Sequence, residues 1–482
     1  MRALCLVPLA LTLAAGTPDE LQTTRQDQKA LAVTIYNGNL ALVKDQRLVK
    51  LPKGDTRLAF QEVSTQIQPE TALLRNLTEP KGFWTLEQNF DFDLLTPEKL
   101  LDKYVGRQVT VVRSVPNPDG PGAKEVRETA TVLSTNGGVV LQYPDRIETG
   151  VNGRLVYSDV PANLRARPTL VMSLHSPAEK AQLLELSYLT GGLSWKADYV
   201  ANLSGDEKAL DLSGWVTLTN QSGVSYPDAT LQLVAGDVNR VQPERMAEMT
   251  YKLARAAEAP APAQMAEQSL FEYHLYTLGR PTTIAANQTK QVALLSASAV
   301  PVTKTLVLEG APYYYQSSYT GDSSDLGDRL KVGVFLSFDD KEANHLGMPL
   351  PKGIIRVYKQ DSEGRAQFVG EDRIDHTPKN ETVKLKLGES FDVTGHRKQT
   401  DYKALGRDAR HRTLTESAYE IRLKNAKDAP ATVIVREPIP GDWTVLSSSL
   451  PFTKPASGVA EFKVPVPAGG ETVLTYRVRV AW

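Results

Sequence analysis

Apolar and polar residues alternate at every second position through most of this 482-residue chain, and this pattern constrains the fold most strongly. The stretch from Glu185 to Val241 is a good example, with turn-forming breaks at Gly191-Gly192 and Asn220–Gly223. Successive side chains of a β-strand point to opposite faces, so this period predicts short strands with one buried face. The pattern therefore predicts a mainly β fold with several antiparallel β-sandwich domains.

Cysteine usage and charge exclude several classes of function. Cys5 is the only cysteine, so cysteine nucleophiles, zinc-thiolate sites and iron–sulfur clusters are not expected in the rest of the chain. The 55 Lys and Arg residues balance 56 Asp and Glu residues. A chain without a basic field has nothing to attract a polyanion, so nucleic acid is not an expected partner.

The first residues predict export. Arg2 supplies a positive charge, Ala3–Leu13 is apolar, and Ala14 and Gly16 are small residues at the end of this run. This is the pattern of a signal peptide, expected at 1–16. The apolar run is shorter than the ~20 residues that a spanning helix needs, and no later stretch predicts a transmembrane helix. The expected location is the periplasm, the outer membrane or the cell surface.

Turn and composition signals predict a division of the remaining chain. Asn37-Gly38 between two β-rich runs predicts a hairpin. Thr96 and Pro97 predict the start of a helix that ends at Gly106, and about five short strands follow it. The expected segments are a flexible lead at 17–30, an N-terminal β-domain at 31–94, a small helix-plus-barrel module resembling Sm-like or SH3-like barrels at 95–165, a β-sandwich at 166–300 with a disordered excursion at 244–268, and a C-terminal β-sandwich region at 301–482.

Six blocks carry a resemblance to a known family. They are Tyr36–Arg47, Leu86–Gly106, Glu185–Val241, Leu346–Val383, Val435–Trp443 and Leu474–Trp482. The chain resembles a bacterial envelope family known as domain of unknown function 4139, which has no established activity. In some relatives a similar C-terminal domain follows a coiled coil, in proteins called mucoidy inhibitors. That resemblance implies a link to surface polysaccharide, although this chain has no coiled-coil pattern.

Two groups of residues are candidates for holding a metal ion. Asp372 and His376 are spaced to share one face of a strand, and carboxylate with imidazole is a common ligand set. Asp322, Asp325 and Asp328 form an acidic loop of the type that binds calcium, although their spacing differs from an EF-hand. The alternatives are a charged strand and turn for the first group and a solvated loop for the second.

A tyrosine cluster is the candidate binding surface. Tyr313, Tyr314 and Tyr315 are consecutive, and Tyr319 is close by. Three consecutive rings cannot all point to one side of a strand, so one ring at least is expected at the surface. Tyrosine is common in recognition surfaces, and the alternative is that these rings pack within a loop.

The sequence favours a non-enzymatic exported protein that acts as a binding or scaffold module of the cell envelope. No HExxH, G-x-S-x-G or P-loop motif occurs, and no cofactor is expected. The expected partner is an envelope protein or a surface polysaccharide. One alternative is a metal-dependent hydrolase of envelope glycans or peptides that uses Asp372 and His376. A second alternative is an outer-membrane β-barrel component, because the C-terminal strand ends in an aromatic residue.

Overall fold

A computed structural model of the chain describes residues 20–91, 93–117, 122–161, 164–236, 239, 265–319 and 330–481. Three expectations therefore lie wholly or mostly outside the described residues. They are the signal peptide at 1–16, the part of the expected excursion from 244 to 264, and the loop that contains Asp322, Asp325 and Asp328.

Among the described residues up to 161, the structure has eleven strands and one α-helix. The strands are β1 (Glu20–Thr23), β2 (Gln28–Tyr36), β3 (Leu40–Leu51), β4 (Gly54–Gln61), β5 (Leu73–Asn76), β6 (Trp84–Asp91), β7 (Gln108–Pro116), β8 (Ala123–Ser134), β9 (Val140–Gln142), β10 (Ile147–Thr149) and β11 (Arg154–Val156). The helix α1 is Pro97–Lys103, and 3-10 turns lie at Arg25–Asp27 and Pro69–Thr71.

The described residues between 164 and 301 form nine strands. They are β12 (Thr169–Ser176), β13 (Lys180–Thr190), β14 (Leu193–Leu203), β15 (Ala209–Asn220), β16 (Tyr226–Ala235), β17 (Ala266–Leu270), β18 (Tyr273–Thr277), β19 (Thr282–Ile284) and β20 (Gln288–Pro301).

The described residues from 303 to 481 form eleven strands and two 3-10 turns. The strands are β21 (Thr303–Glu309), β22 (Leu330–Asp339), β23 (Gly353–Gln360), β24 (Ala366–Ile374), β25 (Thr382–Arg407), β26 (Thr413–Asn425), β27 (Ala431–Pro438), β28 (Asp442–Ser448), β29 (Phe452–Ala456), β30 (Val459–Val466) and β31 (Glu471–Ala481). The turns are Pro312–Tyr315 and Glu342–Asn344. The predicted mainly β class is confirmed.

The chain divides into two compact units. Unit 1 consists of the described residues within Met1–Ser194, Thr219–Leu233 and Arg280–Lys290. Unit 2 consists of those within Trp195–Leu218, Val234–Gly279 and Gln291–Trp482.

Unit 1 contains a four-stranded sheet in the order β1-β4-β12-β6 and strands of a second sheet that run in the order β16-β2-β3-β13-β5, with β19 paired to β16. The predicted hairpin at Asn37-Gly38 is confirmed, because β2 and β3 pair across it and Gly38 takes a positive φ of 84°. The expected lead at 17–30 contains, from Glu20 onward, the strand β1, which pairs in parallel with β4. In addition, β12 and β13 pair with β4 and β3, so strands from both sides of the expected boundary at 166 share sheets.

The module at 95–165 contains α1 and a sheet in the order β10-β9-β8-β7-β11. The predicted cap is confirmed, because the Thr96 hydroxyl accepts a hydrogen bond from the Lys99 amide at 3.2 Å. Tyr104 is buried against the sheet, with Leu100 and Leu101 packed beside it, whereas Val105 is exposed. The predicted barrel closure is not found, because no strand pairing among the described residues joins the two ends of this open order.

Unit 2 contains a five-stranded and a nine-stranded sheet among its described residues. One has the order β20-β15-β14-β23-β24, and the other has the order β28-β31-β26-β25-β22-β21-β27-β30-β29. Most pairs are antiparallel, but β14 pairs in parallel with β23, and β21 with β27, so the sheets are mixed rather than purely antiparallel. The alternation predicted for the last strand is present in β31, where Leu474, Tyr476, Val478 and Val480 are buried in one core cluster.

Candidate functional site

An open cleft of about 220 Å³ lies in unit 2 between strands of its two sheets. Its apolar floor is made by five side chains, and the strands that carry them are β14, β22, β24 and β25. These side chains are Leu203, Val334, Leu336, Val369 and Leu387. Because the floor is drawn from both sheets, the cleft exists only when unit 2 has folded.

Charged side chains form the rim of this cleft. The Glu207 carboxylate accepts hydrogen bonds from the ammonium groups of Lys304 and Lys359, each at 2.6 Å. Glu389 at the rim pairs with Lys331 at 2.7 Å. Partial burial raises the pKa of Glu207, but the two lysines outweigh this effect and hold that pKa below its usual value. Glu207 is therefore ionised at neutral pH and joins two cations above an apolar floor.

The backbone at Glu207 is held in an unfavourable conformation. This residue has a φ of 61°, in the left-handed region that a side chain with a Cβ rarely adopts. A tight turn imposes it, since the Glu207 amide donates to the Ser204 carbonyl at 3.0 Å and the Ser204 hydroxyl donates to Asp206 at 2.7 Å. Such strain costs about 1–3 kcal/mol and is concentrated at functional sites. The strain and the two lysine contacts make Glu207 the central residue of the rim.

A close approach between β24 and β25 fixes one wall of the cleft. Gly370 has a φ of 151°, and a Cβ on it would lie 2.2 Å from the Leu387 carbonyl oxygen. Only glycine tolerates both this backbone angle and this distance. Gly370 therefore sets the position of Leu387, whose side chain belongs to the apolar floor.

The predicted metal ligands, Asp372 on β24 and His376 just after it, make other contacts. One oxygen of Asp372 accepts the amide of Arg373 at 2.8 Å, and the other accepts the amide of Lys386 at 2.7 Å. Nδ1 of His376 accepts the amide of Lys352 at 3.2 Å. Within the described ranges, no three histidine, cysteine, aspartate or glutamate side chains come together in a way that could hold a metal ion. Asp372 joins β24 to β25 through backbone amides.

The predicted tyrosine surface is divided between the interior and the exterior of unit 2. Tyr314 and Tyr315 are buried in the core, so their rings are not open to a surface ligand. Tyr319 is partly buried against the same core. Tyr313 is 43% exposed and contacts Tyr314 and Tyr319 edge-on. Of the four rings, Tyr313 alone is predominantly at the surface.

A buried ion pair lies beside these tyrosines. Arg397 donates to Glu437, and both side chains are buried. The Tyr315 hydroxyl donates to the other oxygen of Glu437 at 2.7 Å, and the Arg397 guanidinium lies 4.4 Å from the centre of the Tyr314 ring. Burial favours a lower pKa for Arg397, but attraction to Glu437 and nearby tyrosines outweighs it and raises that pKa. The pair is therefore charged inside the core.

Asp340 lies directly after β22 and has a buried carboxyl group. None of the described residues forms an ion pair with it. Its Oδ1 accepts the Gly347 amide at 2.8 Å, and its Oδ2 has no hydrogen-bond partner among the described residues. Burial raises the pKa of Asp340 to about 6, and the Gly347 hydrogen bond offsets only part of this effect. Ionising this side chain in the folded protein is therefore costly.

The raised pKa of Asp340 predicts a loss of stability between about pH 4 and pH 6. The folded pKa of about 6 lies above the unfolded value of about 3.9, so the folded protein binds more protons in this window. The contribution of protonated Asp340 to the free energy of unfolding is fully present below the unfolded pKa. It is lost as the pH rises through the folded pKa, and the loss amounts to up to about 3 kcal/mol. Asp340→Asn keeps the oxygen that faces Gly347 and removes this ionisation.

Urea unfolding at a series of pH values checks this prediction. The difference in unfolding free energy, variant minus wild type, should rise by about 2–3 kcal/mol from pH 4 to pH 7. Subtracting the wild-type curve cancels the opposite slopes of other carboxylates. A difference that is constant with pH would contradict the assignment.

The fold defines the class of protein: a mainly β chain with mixed and antiparallel sheets and a cleft in its larger unit. The family profile described as Domain of unknown function (DUF4139) matches residues 184–482, more than half of the chain. The chain belongs to this family. No curated protein matches it. None of the described helices is long and apolar enough to cross a membrane.

Proposed function

We propose that this protein is an exported, non-enzymatic binding or scaffold protein of the cell envelope, and that its cleft receives an apolar side chain of an envelope-protein partner. The observation that carries this proposal is the cleft itself, an apolar floor beneath the rim of Glu207, Lys304 and Lys359. The export pattern at 1–16 supports the location.

The size of the cleft favours a side chain over a free small molecule. Sites for drug-sized ligands usually measure ~300–1,000 Å³, and this cleft has about 220 Å³. That volume accommodates one large apolar side chain. The rim offers ammonium donors and carboxylate acceptors to the polar backbone on either side of that side chain, which is the arrangement of a protein interface.

Site-specific photo-cross-linking in the native envelope tests this function. A benzoylphenylalanine residue placed at Val369, on the cleft floor, should give a discrete adduct with one envelope protein. The same residue at Thr453, exposed on the edge strand β29, is the matched control and should not give that adduct. Mass spectrometry of the adduct then identifies the partner segment.

A binding measurement with the captured segment completes the test. A synthetic peptide of that segment should bind the purified protein, and Val369→Trp, which fills the cleft, should weaken binding at least tenfold. Binding that is unaffected by Val369→Trp would sink the proposal, as would equal adducts from Val369 and Thr453.

A further inference from the structure

We propose that unit 1 carries a second binding site, in which the indole ring of Trp84 stacks against a pyranose ring of a glycan with equatorial hydroxyl groups. This site shares no residue with the cleft of unit 2 and does not depend on the function proposed for that cleft. Three residues on adjacent strands of one sheet define it: Trp84 on β6, His175 on β12 and Asp55 on β4.

The register of the four-stranded sheet places these residues in one row. His175 is directly opposite Asp55 on one side and directly opposite Trp84 on the other. Directly opposed residues project from the same face of a sheet, and adjacent strands lie ~4.8 Å apart. Leu174, the neighbour of His175, is fully buried on the opposite face. The row therefore lies on the outward face of the sheet.

The indole ring of Trp84 is supported on one side and accessible from solvent. Its ring centroid is 4.4 Å from that of His175, with an angle of 22° between the planes, so the two rings are stacked. Trp84 nevertheless remains 52% exposed. A stacked ring has lost its rotational freedom before a ligand arrives, and such preorganisation lowers the entropic cost of binding.

Polar groups surround this ring. Nδ1 of His175 is 2.5 Å from Oδ1 of Asp55, and the Asp55 side chain is 75% exposed. The next row is polar as well, because Ser173 lies opposite Arg57 and, beyond a register shift in the pairing with β6, opposite Glu87. Carboxylate, guanidinium and hydroxyl groups on the same face, on β6 itself or one or two strands from it, can exchange hydrogen bonds with sugar hydroxyls.

The flat indole ring of Trp84 with polar side chains around it favours one class of ligand over others. A lipid surface or an apolar helix needs a broad apolar face. On β6 the exposed large apolar side chains are Trp84 and Leu86, and the neighbouring row is polar. A pyranose with equatorial hydroxyls matches both parts, because its flat C–H face is apolar and its rim consists of hydroxyl groups. Aromatic side chains with an apolar body and a polar neighbourhood suit such amphipathic ligands.

Calorimetric titration of the purified protein with cellohexaose and with chitohexaose tests this site. At least one of these equatorial, β-linked oligosaccharides should bind. Trp84→Ala should weaken that binding at least tenfold, whereas Trp84→Tyr, which keeps a flat ring, should retain most of it. Phe271→Ala is the matched control, because Phe271 is an exposed aromatic residue of unit 2 (85%) and its loss should leave binding unchanged.

Two results would overturn the glycan site. One is the absence of binding of both oligosaccharides to the wild-type protein at millimolar concentration. The other is binding that Trp84→Ala leaves intact in a variant with an unchanged circular dichroism spectrum. Neither result bears on the cleft of unit 2, where the partner is a protein segment and the test variant is Val369→Trp.

Discussion

Replacing Glu437 with glutamine should destabilise unit 2 by about 3–5 kcal/mol, because the substitution leaves the buried Arg397 charge without a counter-charge. Both side chains are buried, and Nε and Nη1 of Arg397 have no hydrogen-bond partner among the described residues. Glutamine keeps the volume of glutamate, so the loss reflects charge rather than a cavity. Urea unfolding, followed by hydrogen exchange of peptides from β26 and β31, measures the effect in this core.

A double variant separates the two effects of this ion pair. Arg397→Leu combined with Glu437→Leu removes both charges, and such apolar replacements of buried pairs are often neutral or stabilising. The double variant should therefore be more stable than Glu437→Gln alone. Tyr315→Phe, which removes only the hydroxyl that donates to Glu437, should cost about 1–3 kcal/mol. If Glu437→Gln costs no more than Tyr315→Phe, the pair is not the central electrostatic contact of this core.

The parts of the fold that follow from local rules were predictable from the sequence. The alternation in β31, the turn at Asn37-Gly38 and the cap at Thr96 each involve neighbours within a few residues. The alternation of apolar and polar residues in a strand predicts which face is buried, and one capping side chain predicts where a helix starts. The helix α1 nevertheless ends at Lys103, before the predicted stop at Gly106, because Val105 forms a β-bridge with Val132 and the Gly106 amide donates to the Val132 carbonyl at 2.7 Å.

Strand pairing and the cleft depend on contacts between distant parts of the chain. The parallel pairing of β21 with β27 joins segments more than a hundred residues apart, and no local pattern records it. Glu207, Lys304 and Lys359 likewise come from three separate segments and meet only in the folded unit. The sole local signal at Glu207 is its turn sequence, which predicts a loop and not a binding site.

Buried charged residues were the other feature that sequence patterns missed. Arg, Asp and Glu are mostly exposed in proteins, so a strand that contains them is interpreted as placing them outward. Arg397 on β25 and Glu437 on β27 occupy buried positions in the alternation of their own strands. Each has the other as its partner, on a different strand, so neither strand alone indicates the pair. The tyrosines at 313–315 were predicted as a binding surface, but Tyr314 and Tyr315 are buried beside the ion pair and do not face solvent.

Replacing Arg47 with methionine should have a comparable effect in unit 1 and should release the strand β1. Arg47 is fully buried, and its guanidinium donates to Asp45 at 2.8 Å, to the Thr23 carbonyl at 2.8 Å and to the Gln61 carbonyl at 2.9 Å. The same group lies 3.8 Å from the centre of the Phe60 ring. Methionine fills similar space but removes the cation beside the buried Asp45 carboxylate, which still accepts the Gln28 side-chain amide at 2.8 Å, and the donor to two carbonyl groups, at a cost of about 3–5 kcal/mol.

Local hydrogen exchange distinguishes this effect from a general loss of stability. Thr23 is the last residue of β1, and among the described strands β1 pairs only with β4. The amides of β1 should therefore be the first to lose protection in Arg47→Met. Arg47→Lys retains the charge next to Asp45, but an ammonium group cannot reach all three acceptors as the planar guanidinium does. Compared with Arg47→Met, this variant should therefore regain part of the stability and little of the protection of β1. Equal protection of β1 in wild type and Arg47→Met would mean that the pairing with β4 holds this strand without the arginine.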